Sequence, residues 1–423
     1  MLPLHQLLPS SRHHIRRCAR SFTKASERPL AQSFYDDKIV TYASRPIKPV
    51  TLKQLVRFGQ PPLSQENLRQ CALYARTELP VRLARRVRAF QTLPFIVGTN
   101  PYIKEIYKLY YDSFEMLEQY SHRRDEGDDM EFADKLKDLV DRHTDNIPTL
   151  ARGFLECRQY MTNHDMAVFL DDMIKARIGI RLIAEQCITL IQHSQSHSTT
   201  AHSSNDHSNN KADTNCTIGI IHTQLNPYQI IRNCSDFVAE LCEFNYGQSA
   251  ETVITGHLDT TFTYIPVHLE YILMELLKNA HRATVEHAKD LGSLDRPPPI
   301  QVTISQSKEE IGIRIRDQGN GIHEQDLNKV FEYSYTTVKN PGDSPDDDDG
   351  SSGGSIFSGM ALMAMQSGVG GPLAGLGYGL PLSRLYARYF GGSLTMVSMK
   401  GYGCDVFLKL KHIDESFAEG LEI

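Results

Sequence analysis

The octet Glu275-Leu276-Leu277-Lys278-Asn279-Ala280-His281-Arg282 contains a carboxylate and a carboxamide four residues apart, in a run that favours a helix. On an α-helix this spacing puts Glu275 and Asn279 on one face, and Arg282 falls near the same face. Glu275 could orient or deprotonate a nucleophile, and the side-chain oxygen of Asn279 could bind a hard cation such as Mg²⁺. A solvated polar helix face has the same spacing, so the octet alone does not establish a site.

Two glycine-rich loops follow the octet. Asp317-Gln318-Gly319-Asn320-Gly321 comes directly after residues 311–316, whose alternating apolar and polar side chains predict a β-strand. Asp317 therefore lies at a strand end, and the glycines permit a tight turn and close approach of the backbone to a ligand. Residues 375–383 form a second glycine-rich loop that runs into a helix-like segment, the geometry that holds phosphate on backbone N–H groups.

In this order, the octet and the two loops resemble the N, G1 and G2 boxes of the ATP-binding superfamily shared by Hsp90-type chaperones, gyrases, MutL proteins and histidine kinases. A closer resemblance, to the mitochondrial 2-oxoacid dehydrogenase kinases, covers most of the chain after the first few dozen residues. It is carried by the octet with Ala283-Thr284-Val285-Glu286, by Thr336-Thr337, by Gly377-Tyr378-Gly379-Leu380-Pro381 with Ser383-Arg384, and by Glu78-Leu79-Pro80-Val81-Arg82-Leu83-Ala84.

The resemblance implies a two-domain fold. Its N-terminal part is an all-α four-helix bundle, and its C-terminal part is an α/β sandwich with a mixed sheet, a Bergerat-type ATP-binding fold. The implied activity is that of a kinase of the mitochondrial matrix, which uses ATP and Mg²⁺ to phosphorylate a serine on the E1α subunit of a 2-oxoacid dehydrogenase complex and so inactivates it. The other implied partners are a lipoyl-bearing E2 subunit or E3-binding protein, and a second copy of the chain in a homodimer.

The same resemblance implies a role for each residue of the boxes. Glu275 is expected to be the general base, Asn279 the Mg²⁺ ligand, and Asp317 the acceptor for the adenine amino group. The further nucleotide contacts are expected from Arg282, Gly319, Gly321, Thr336, Thr337, Gly375, Leu376, Gly377, Tyr378, Gly379 and Leu380. In many pyruvate dehydrogenase kinases a His precedes the Glu by one helical turn, and here that position is Tyr271.

The choice of dehydrogenase stays open at this point. Tyr271, the run Leu93-Pro94-Phe95-Ile96-Val97-Gly98 and the lack of any Trp resemble the branched-chain 2-oxoacid dehydrogenase kinases. An insertion and the unusual first loop instead mark a divergent branch of the family, and some such branches act on pyruvate dehydrogenase, which we favour slightly. A remote alternative is an ATP-hydrolysing clamp of the Hsp90 or MutL kind, which would place its nucleotide domain first along the chain.

Length and charge bound the remaining possibilities. The 423 residues are enough for two domains, the net charge is −6, and no apolar run is long enough to span a bilayer, so neither a nucleic-acid partner nor a membrane span is expected. Five basic residues precede the first acidic one, Glu27, which is typical of a mitochondrial transit peptide over residues 1–30; a disordered basic tail is the alternative. The basic residues are Arg12, Arg16, Arg17, Arg20 and Lys24.

Periodicity and composition divide the rest of the chain. Helical spacing of apolar residues predicts the bundle over residues 33–193, in which residues 52–59 resemble the start of a lipoyl-docking surface and His143 is expected on the surface. Residues 194–215, rich in Ser, His and Asn, are predicted to be a disordered insertion. The nucleotide domain is expected over residues 216–412, with a flexible lid over 338–374 and a tail over 413–423.

Strands and helices are also predicted within the nucleotide domain. Strands are expected over residues 216–221, 252–257, 300–304, 311–316, 393–398 and 403–410, and helices over 227–246, 266–287 and 382–390. A mixed sheet layered against helices follows from this order.

Overall fold

A computed structural model of the chain describes residues 30–60, 63–121, 129–199, 216–292, 296–335 and 377–412. Several predictions from the sequence lie outside these residues. They are the transit peptide over 1–30 except its last residue, most of the insertion, the lid over 338–374, the tail over 413–423, and the expected nucleotide contacts Thr336, Thr337, Gly375 and Leu376.

The N-terminal part is helical. Its longest helices, α3, α5 and α8, pack together with the consecutive pair α6 and α7, while α1 lies on α3. The helices are α1 (Leu30–Ser44), α2 (Leu52–Phe58), α3 (Gln65–Gln91), α4 (Phe95–Gly98), α5 (Pro101–Ser121), α6 (Asp129–Arg142), α7 (Asn146–Glu156) and α8 (Asn163–Thr199), with a short 3₁₀ turn over Arg158–Tyr160. Every residue from 78 to 84 is buried, because α3 is covered by neighbours on several sides.

The C-terminal part contains two sheets. The larger has the order β3-β5-β6-β8-β7, in which β3 and β5 are parallel and the other pairs antiparallel; the smaller has the order β1-β2-β4. The elements are β1 (Thr217–Ile218), β2 (Ile221–Leu225), α9 (Pro227–Tyr246), β3 (Thr252–Gly256), β4 (Phe262–Tyr264), α10 (Pro266–Asp290), β5 (Ile300–Gln306), β6 (Glu310–Arg316), α11 (Glu324–Leu327), α12 (Gly379–Tyr389), β7 (Ser393–Met399) and β8 (Gly403–Lys411).

Alternating residues of the large sheet form the core beneath α10 and α12. Ile311, Ile313 and Ile315 of β6 are all buried, and β5 and β8 bury alternate residues in the same way. α10 contacts β5, β6 and β8, and α9 and α12 pack beside it. The two-domain prediction, a helical part followed by a mixed sheet layered with helices, is confirmed, and α10 lies at the centre of the second part.

The structure corrects three local predictions. The strand predicted over 216–221 is a hairpin, because Gly219 adopts a φ of +63° and turns the chain between β1 and β2. The insertion predicted from residue 194 begins later, because α8 continues to Thr199; a packed helix can extend into polar sequence, since each added residue adds a backbone hydrogen bond. The three-residue strand β4 was not predicted at all.

The prediction that His143 lies on the surface is also wrong. Its ring is buried between α5 and α7, with Nε2 2.8 Å from Ser113 Oγ and Nδ1 2.8 Å from Asn146 Nδ2. The amide of Asn146 donates to Nδ1, so the neutral ring carries its hydrogen on Nε2. Ser113 on α5 and Asn146 at the start of α7 account for this burial, and the charged residues around His143 do not indicate it.

Three buried histidines predict a loss of stability in acid. Burial lowers the pKa of His143 and His268 to about 3 and of His281 to about 4, and nearby arginines add to the effect at the first two. Below pH 6.5 these histidines are protonated in the unfolded chain but remain neutral in the folded chain. Each such histidine is therefore expected to cost about 1.4 kcal/mol of unfolding free energy per pH unit as the pH falls from 6.5 towards the folded pKa.

Chemical denaturation of His143→Gln and wild type between pH 7.5 and pH 5 measures how the contribution of His143 to the unfolding free energy depends on pH. The stability advantage of the wild type should shrink steadily below pH 6.5, because the variant lacks the share of the acid penalty that His143 contributes and keeps those of His268 and His281. His164→Gln is the control, since His164 is exposed at the start of α8. A difference between His143→Gln and wild type that does not change with pH would contradict the prediction.

Candidate functional site

A cleft of about 410 Å³ lies between α9, α10, the loop that follows β6 and the first turn of α12. Glu275, Asn279 and Arg282 all line it, so the face predicted for the octet is the face that α10 turns to the cleft. Apolar side chains from α9 and the sheet form the opposite wall, and they are Val238, Leu241, Ile315, Met396 and Val406. An apolar wall facing a few polar groups is typical of a small-molecule site.

Glu275 lies at the junction of α10 and α12 and is only 6% exposed. Its Oε1 bonds to the ammonium group of Lys278 one turn further along the helix. Its Oε2 faces Gly379, where an added Cβ would lie 2.2 Å from that oxygen. The carboxylate therefore sits at the N-terminus of α12 and next to an ammonium group.

Lys278 is a site residue that the sequence analysis did not single out. It lines the cleft, and its side chain is 14% exposed. Its place three residues after Glu275 on a helix was a usable signal, because side chains at that spacing meet on one face.

Asn279 and Arg282 occupy the next turn of α10. Within the described residues, the carboxamide of Asn279 makes no hydrogen bond, so its oxygen is available to a ligand. Arg282 is partly exposed, and its Nε lies 3.8 Å from Glu286 Oε1, at the rim of the cleft. Both side chains are thus placed where a bound molecule could reach them.

Asp317 lies at the floor of the cleft and is 6% exposed. Its Oδ1 accepts hydrogen bonds from the backbone N–H of Gly319 at 2.9 Å and of Cys404 at 3.1 Å. Burial raises the pKa of this carboxyl, while the two backbone donors act in the opposite direction. Among the described residues no donor reaches Oδ2, which leaves that oxygen open to a ligand. Cys404, on β8, had no sequence signal that pointed to it.

The two glycines of the first loop have different surroundings. Gly321 lines the cleft with a φ of +65°, and an added Cβ would lie 2.2 Å from the carbonyl oxygen of Met399. Gly319 does not line the cleft; it packs against α10, where an added Cβ would lie 2.8 Å from that of Ala283. Gly321 thus brings the backbone to the ligand space, and Gly319 lets the loop lie against the helix.

The described part of the second loop begins at Gly377. Gly377, Gly379 and Leu380 line the cleft, and the backbone of Gly377 is packed against that of Tyr335. The side chain of Tyr378 points away from the cleft into the protein interior, where its ring lies 5.3 Å from that of Tyr333. Only the backbone of Tyr378 remains a candidate for ligand binding.

Known proteins match the chain over both parts. Residues 49–222 match a family model described as mitochondrial branched-chain alpha-ketoacid dehydrogenase kinase, and residues 264–413 match one described as histidine kinase-, DNA gyrase B- and HSP90-like ATPase. A mitochondrial pyruvate dehydrogenase (acetyl-transferring) kinase of Arabidopsis thaliana is 33% identical over 370 residues, which are 87% of this chain and 91% of that protein. The chain belongs to the mitochondrial pyruvate dehydrogenase kinase family.

Animal members of the family match over a similar length. Isozyme 4 of Mus musculus is 29% identical over 422 residues, covering 96% of this chain and 91% of that protein. Isozyme 4 of Homo sapiens is 30% identical over 391 residues, covering 89% of this chain and 84% of that protein. These relatives are named as pyruvate dehydrogenase kinases, so the recognition of the family is confirmed and the branched-chain alternative is not favoured.

Tyr271 lies on α10 one turn before Glu275, at the position where the resemblance to pyruvate dehydrogenase kinases suggests a histidine. It is buried, and no described residue makes a hydrogen bond with its hydroxyl; its ring lies 5.1 Å from that of Tyr386. Burial first, and the negative charge of Glu275 second, raise the pKa of this hydroxyl well above its usual value. Tyr271 therefore stays a neutral donor, whereas a histidine could also accept a proton.

Proposed function

We propose that this protein is a mitochondrial protein kinase that transfers the γ-phosphoryl group of ATP to a serine on the E1α subunit of the pyruvate dehydrogenase complex and thereby inactivates it. The observation that carries the proposal is a buried carboxylate, Glu275, on the same cleft face as Asn279 and at the N-terminus of α12. Membership of a family whose named members are pyruvate dehydrogenase kinases supports the choice of substrate.

We assign the nucleotide to the cleft through three contacts. The open oxygen of Asp317 accepts a hydrogen bond from the adenine amino group. Gly321 lets the backbone pass beside the base and ribose, and the N–H groups of residues 377–380 hold the phosphates at the N-terminus of α12. Arg282 lies at the rim, where its charge would attract the nucleotide. Thr336, Thr337, Gly375 and Leu376 remain proposed contacts beyond the described residues.

The residues present fit Mg²⁺ brought in by the nucleotide. In the described part of the chain, no three His, Cys, Asp or Glu side chains are grouped to hold a metal ion. The free carboxamide oxygen of Asn279 is a suitable single ligand for a cation that keeps several waters and phosphate oxygens. When bound, Mg²⁺ would neutralise charge on the phosphates.

Glu275 is the proposed general base. It takes the proton of the serine hydroxyl as that oxygen bonds to the γ-phosphorus and ADP leaves. Lys278 bonds to one carboxylate oxygen, and the other lies against Gly379 in the first turn of α12. The close approach of Gly379 to Glu275 supports this assignment, because it puts the proposed base beside the backbone proposed to hold the phosphates.

Gly379→Ala tests this contact. The added Cβ would collide with Oε2 of Glu275, and the side chain would have to move away from the attacking hydroxyl. Transfer is expected to fall about 100-fold, the effect of misplacing a reacting group by about 1 Å. Single-turnover transfer from labelled ATP measures it.

Gly98→Ala is the matched control, because a Cβ at Gly98 meets no atom within 4 Å. Transfer by Gly379→Ala at the wild-type rate would mean that Glu275 does not need its present position.

The function itself is tested with purified E1 of the pyruvate and branched-chain complexes side by side. The protein is incubated with γ-³²P-ATP and each E1, and label on serine is measured together with E1 activity. We expect label and loss of activity on pyruvate dehydrogenase E1. Label only on the branched-chain E1 would show that this E1 is the substrate. ATP consumption without label on either E1 would favour the alternative of an ATP-hydrolysing clamp.

The proposed partners are a second copy of the chain and a lipoyl-bearing E2 subunit. Apolar side chains of the edge strand β7 and the turn after it support the dimer, since Val397, Met399 and Tyr402 are 61%, 64% and 73% exposed. Sedimentation of Val397→Lys, expected to be monomeric, tests the dimer.

For E2, α2 is the proposed docking element, and the affinity of Phe58→Ala for lipoylated and unlipoylated domains tests that role.

We also propose the matrix as the compartment, since the relatives are named as mitochondrial; import of the full chain into isolated mitochondria tests this. Among the described helices, none has the length and apolar character needed to cross a membrane.

The domain bounds remain proposed at residues 33–193 and 216–412. Limited proteolysis tests these bounds.

A further inference from the structure

A hydrogen bond between Tyr333 and Asp171 is among those that join the helical part to the nucleotide half. The hydroxyl of Tyr333, which follows α11, donates to Oδ1 of Asp171 on α8 at 2.5 Å. The two residues are 162 positions apart, and Tyr333 is 8% exposed, so the bond is largely shielded from water. Burial and the bond to Asp171 raise the pKa of the tyrosine hydroxyl, which therefore remains a donor.

Tyr333 is in turn packed against the second glycine loop. Its ring lies 5.3 Å from that of Tyr378, and the hydroxyl of Ser334 donates to the Tyr378 hydroxyl at 3.3 Å. Ser334 has a φ of +62°, and within the described residues no other residue except glycine has a positive φ. Such a conformation costs of order 1 kcal/mol or more and persists where the surrounding contacts impose it.

The segment around Tyr333 is fixed at both ends. On one side, the guanidinium of Arg384 on α12 donates to the Phe331 carbonyl at 3.2 Å and lies 4.4 Å from the Phe331 ring centre. On the other, the backbone of Tyr335 supports Gly377 so closely that an added Cβ would lie 2.3 Å from the Tyr335 carbonyl oxygen. Residues 331–335 are therefore packed closely against the first turns of α12 and the loop before it.

The last step leads from Tyr378 to the base. The carbonyl of Tyr378 accepts the N–H of Leu382 and so begins α12. The next residue, Gly379, contacts Oε2 of Glu275. A continuous set of contacts thus runs from Asp171 through Tyr333 and Tyr378 to the catalytic carboxylate. Asp171 itself does not line the cleft, whose described lining residues all lie in the nucleotide half.

We infer that Asp171 is a positioning residue for phosphoryl transfer: by holding Tyr333, it sets the place of the phosphate-binding backbone at residues 377–379 and of Glu275. The inference rests on the proposed function. It assigns to the helical part a residue that transfer needs, although that residue touches neither ATP nor the serine.

The test uses variants of both partners in the full chain. Asp171→Ala and Tyr333→Phe each remove the bond, so each is expected to lower kcat about tenfold and to raise KM for ATP. Because both act through one bond, the double variant should lose no more than either single one. Asp171→Asn keeps an acceptor oxygen in the same place and should recover transfer to within about threefold of wild type. Asp172→Ala is the control, because the neighbouring Asp172 is exposed and its side chain bonds to no described residue of the nucleotide half.

Three results would overturn the inference. They are wild-type kcat in Tyr333→Phe, losses that multiply in the double variant, and an Asp171→Asn variant as impaired as Asp171→Ala. Tyr333→Phe removes a single oxygen, so it keeps the test valid even if Asp171→Ala folds poorly. Failure of the proposed function is a separate result, because the wild type itself would then label no E1.

Discussion

Glu275→Gln is expected to lower phosphoryl transfer by about 10²- to 10⁴-fold, the contribution typical of a general base, while nucleotide affinity stays close to that of the wild type. Glutamine has nearly the same shape, so it still fits between Lys278 and Gly379. It cannot accept the serine proton, however, so only the chemical step is lost. Single-turnover transfer and calorimetric titration with ADP separate the two effects.

Glu270→Gln is the matched control for this substitution. Glu270 lies on the same helix, is partly buried, and does not line the cleft. Transfer by this variant should equal that of the wild type. Wild-type transfer by Glu275→Gln would remove the general-base assignment, and loss of ADP binding together with transfer would show that the residue acts on nucleotide binding instead.

Asp317→Ala is expected to weaken nucleotide binding by about 100-fold or more. The substitution removes the acceptor for the adenine amino group and also leaves the buried N–H groups of Gly319 and Cys404 without their partner. Each unsatisfied buried donor costs about 1–3 kcal/mol, so the first loop should lose its shape as well as its ligand contact. Calorimetric titration with ADP measures the affinity, and a thermal melt shows whether the fold is retained.

Asp317→Asn separates these two roles. Asparagine can still accept from the loop N–H groups through its oxygen, but it turns an N–H₂ group towards the adenine donor. We expect a fold as stable as the wild type with clearly weaker ADP binding and reduced preference for ATP over GTP, because guanine carries an acceptor where adenine carries the amino group. Asp236→Asn, at an exposed site on α9, should change nothing. Equal ADP affinity in Asp317→Asn and wild type would exclude the adenine contact.

Much of the nucleotide half was predictable because its signals are local. The helix predicted over 227–246 matches α9 in both bounds, since Asn226 caps it, Pro227 begins it and Gly247 ends it. Alternating residues in β5 and β6 predicted the strand pair within a few positions. Likewise, the spacing of Glu275, Asn279 and Arg282 on a helix was enough to place them on one face, which the structure turns to the cleft.

The features that the sequence analysis missed depend on how separate elements pack against one another. Charge around His143 suggested a surface position, but Ser113 and Asn146 come from two other helices and bury it. The side chain of Tyr378 belongs to a glycine-rich loop, yet it packs on Tyr333 and faces away from the cleft. Neither outcome could follow from periodicity, which reports which residues of one element share a face and not what that face meets.

The sequence by itself determined the two-part fold and the order of the nucleotide-binding boxes, because helix and strand periods and glycine turns are properties of neighbouring residues. The family followed from the resemblance of the motifs to those of known kinases. Only the tertiary structure decided that Gly379 lies against Glu275, that Cys404 helps to hold Asp317, and that Asp171 reaches Tyr333 across the two halves. Each of these contacts joins residues dozens of positions apart or more. Hydrogen bonding and close packing between such residues depend on how whole elements are placed in space, and no local pattern encodes that placement.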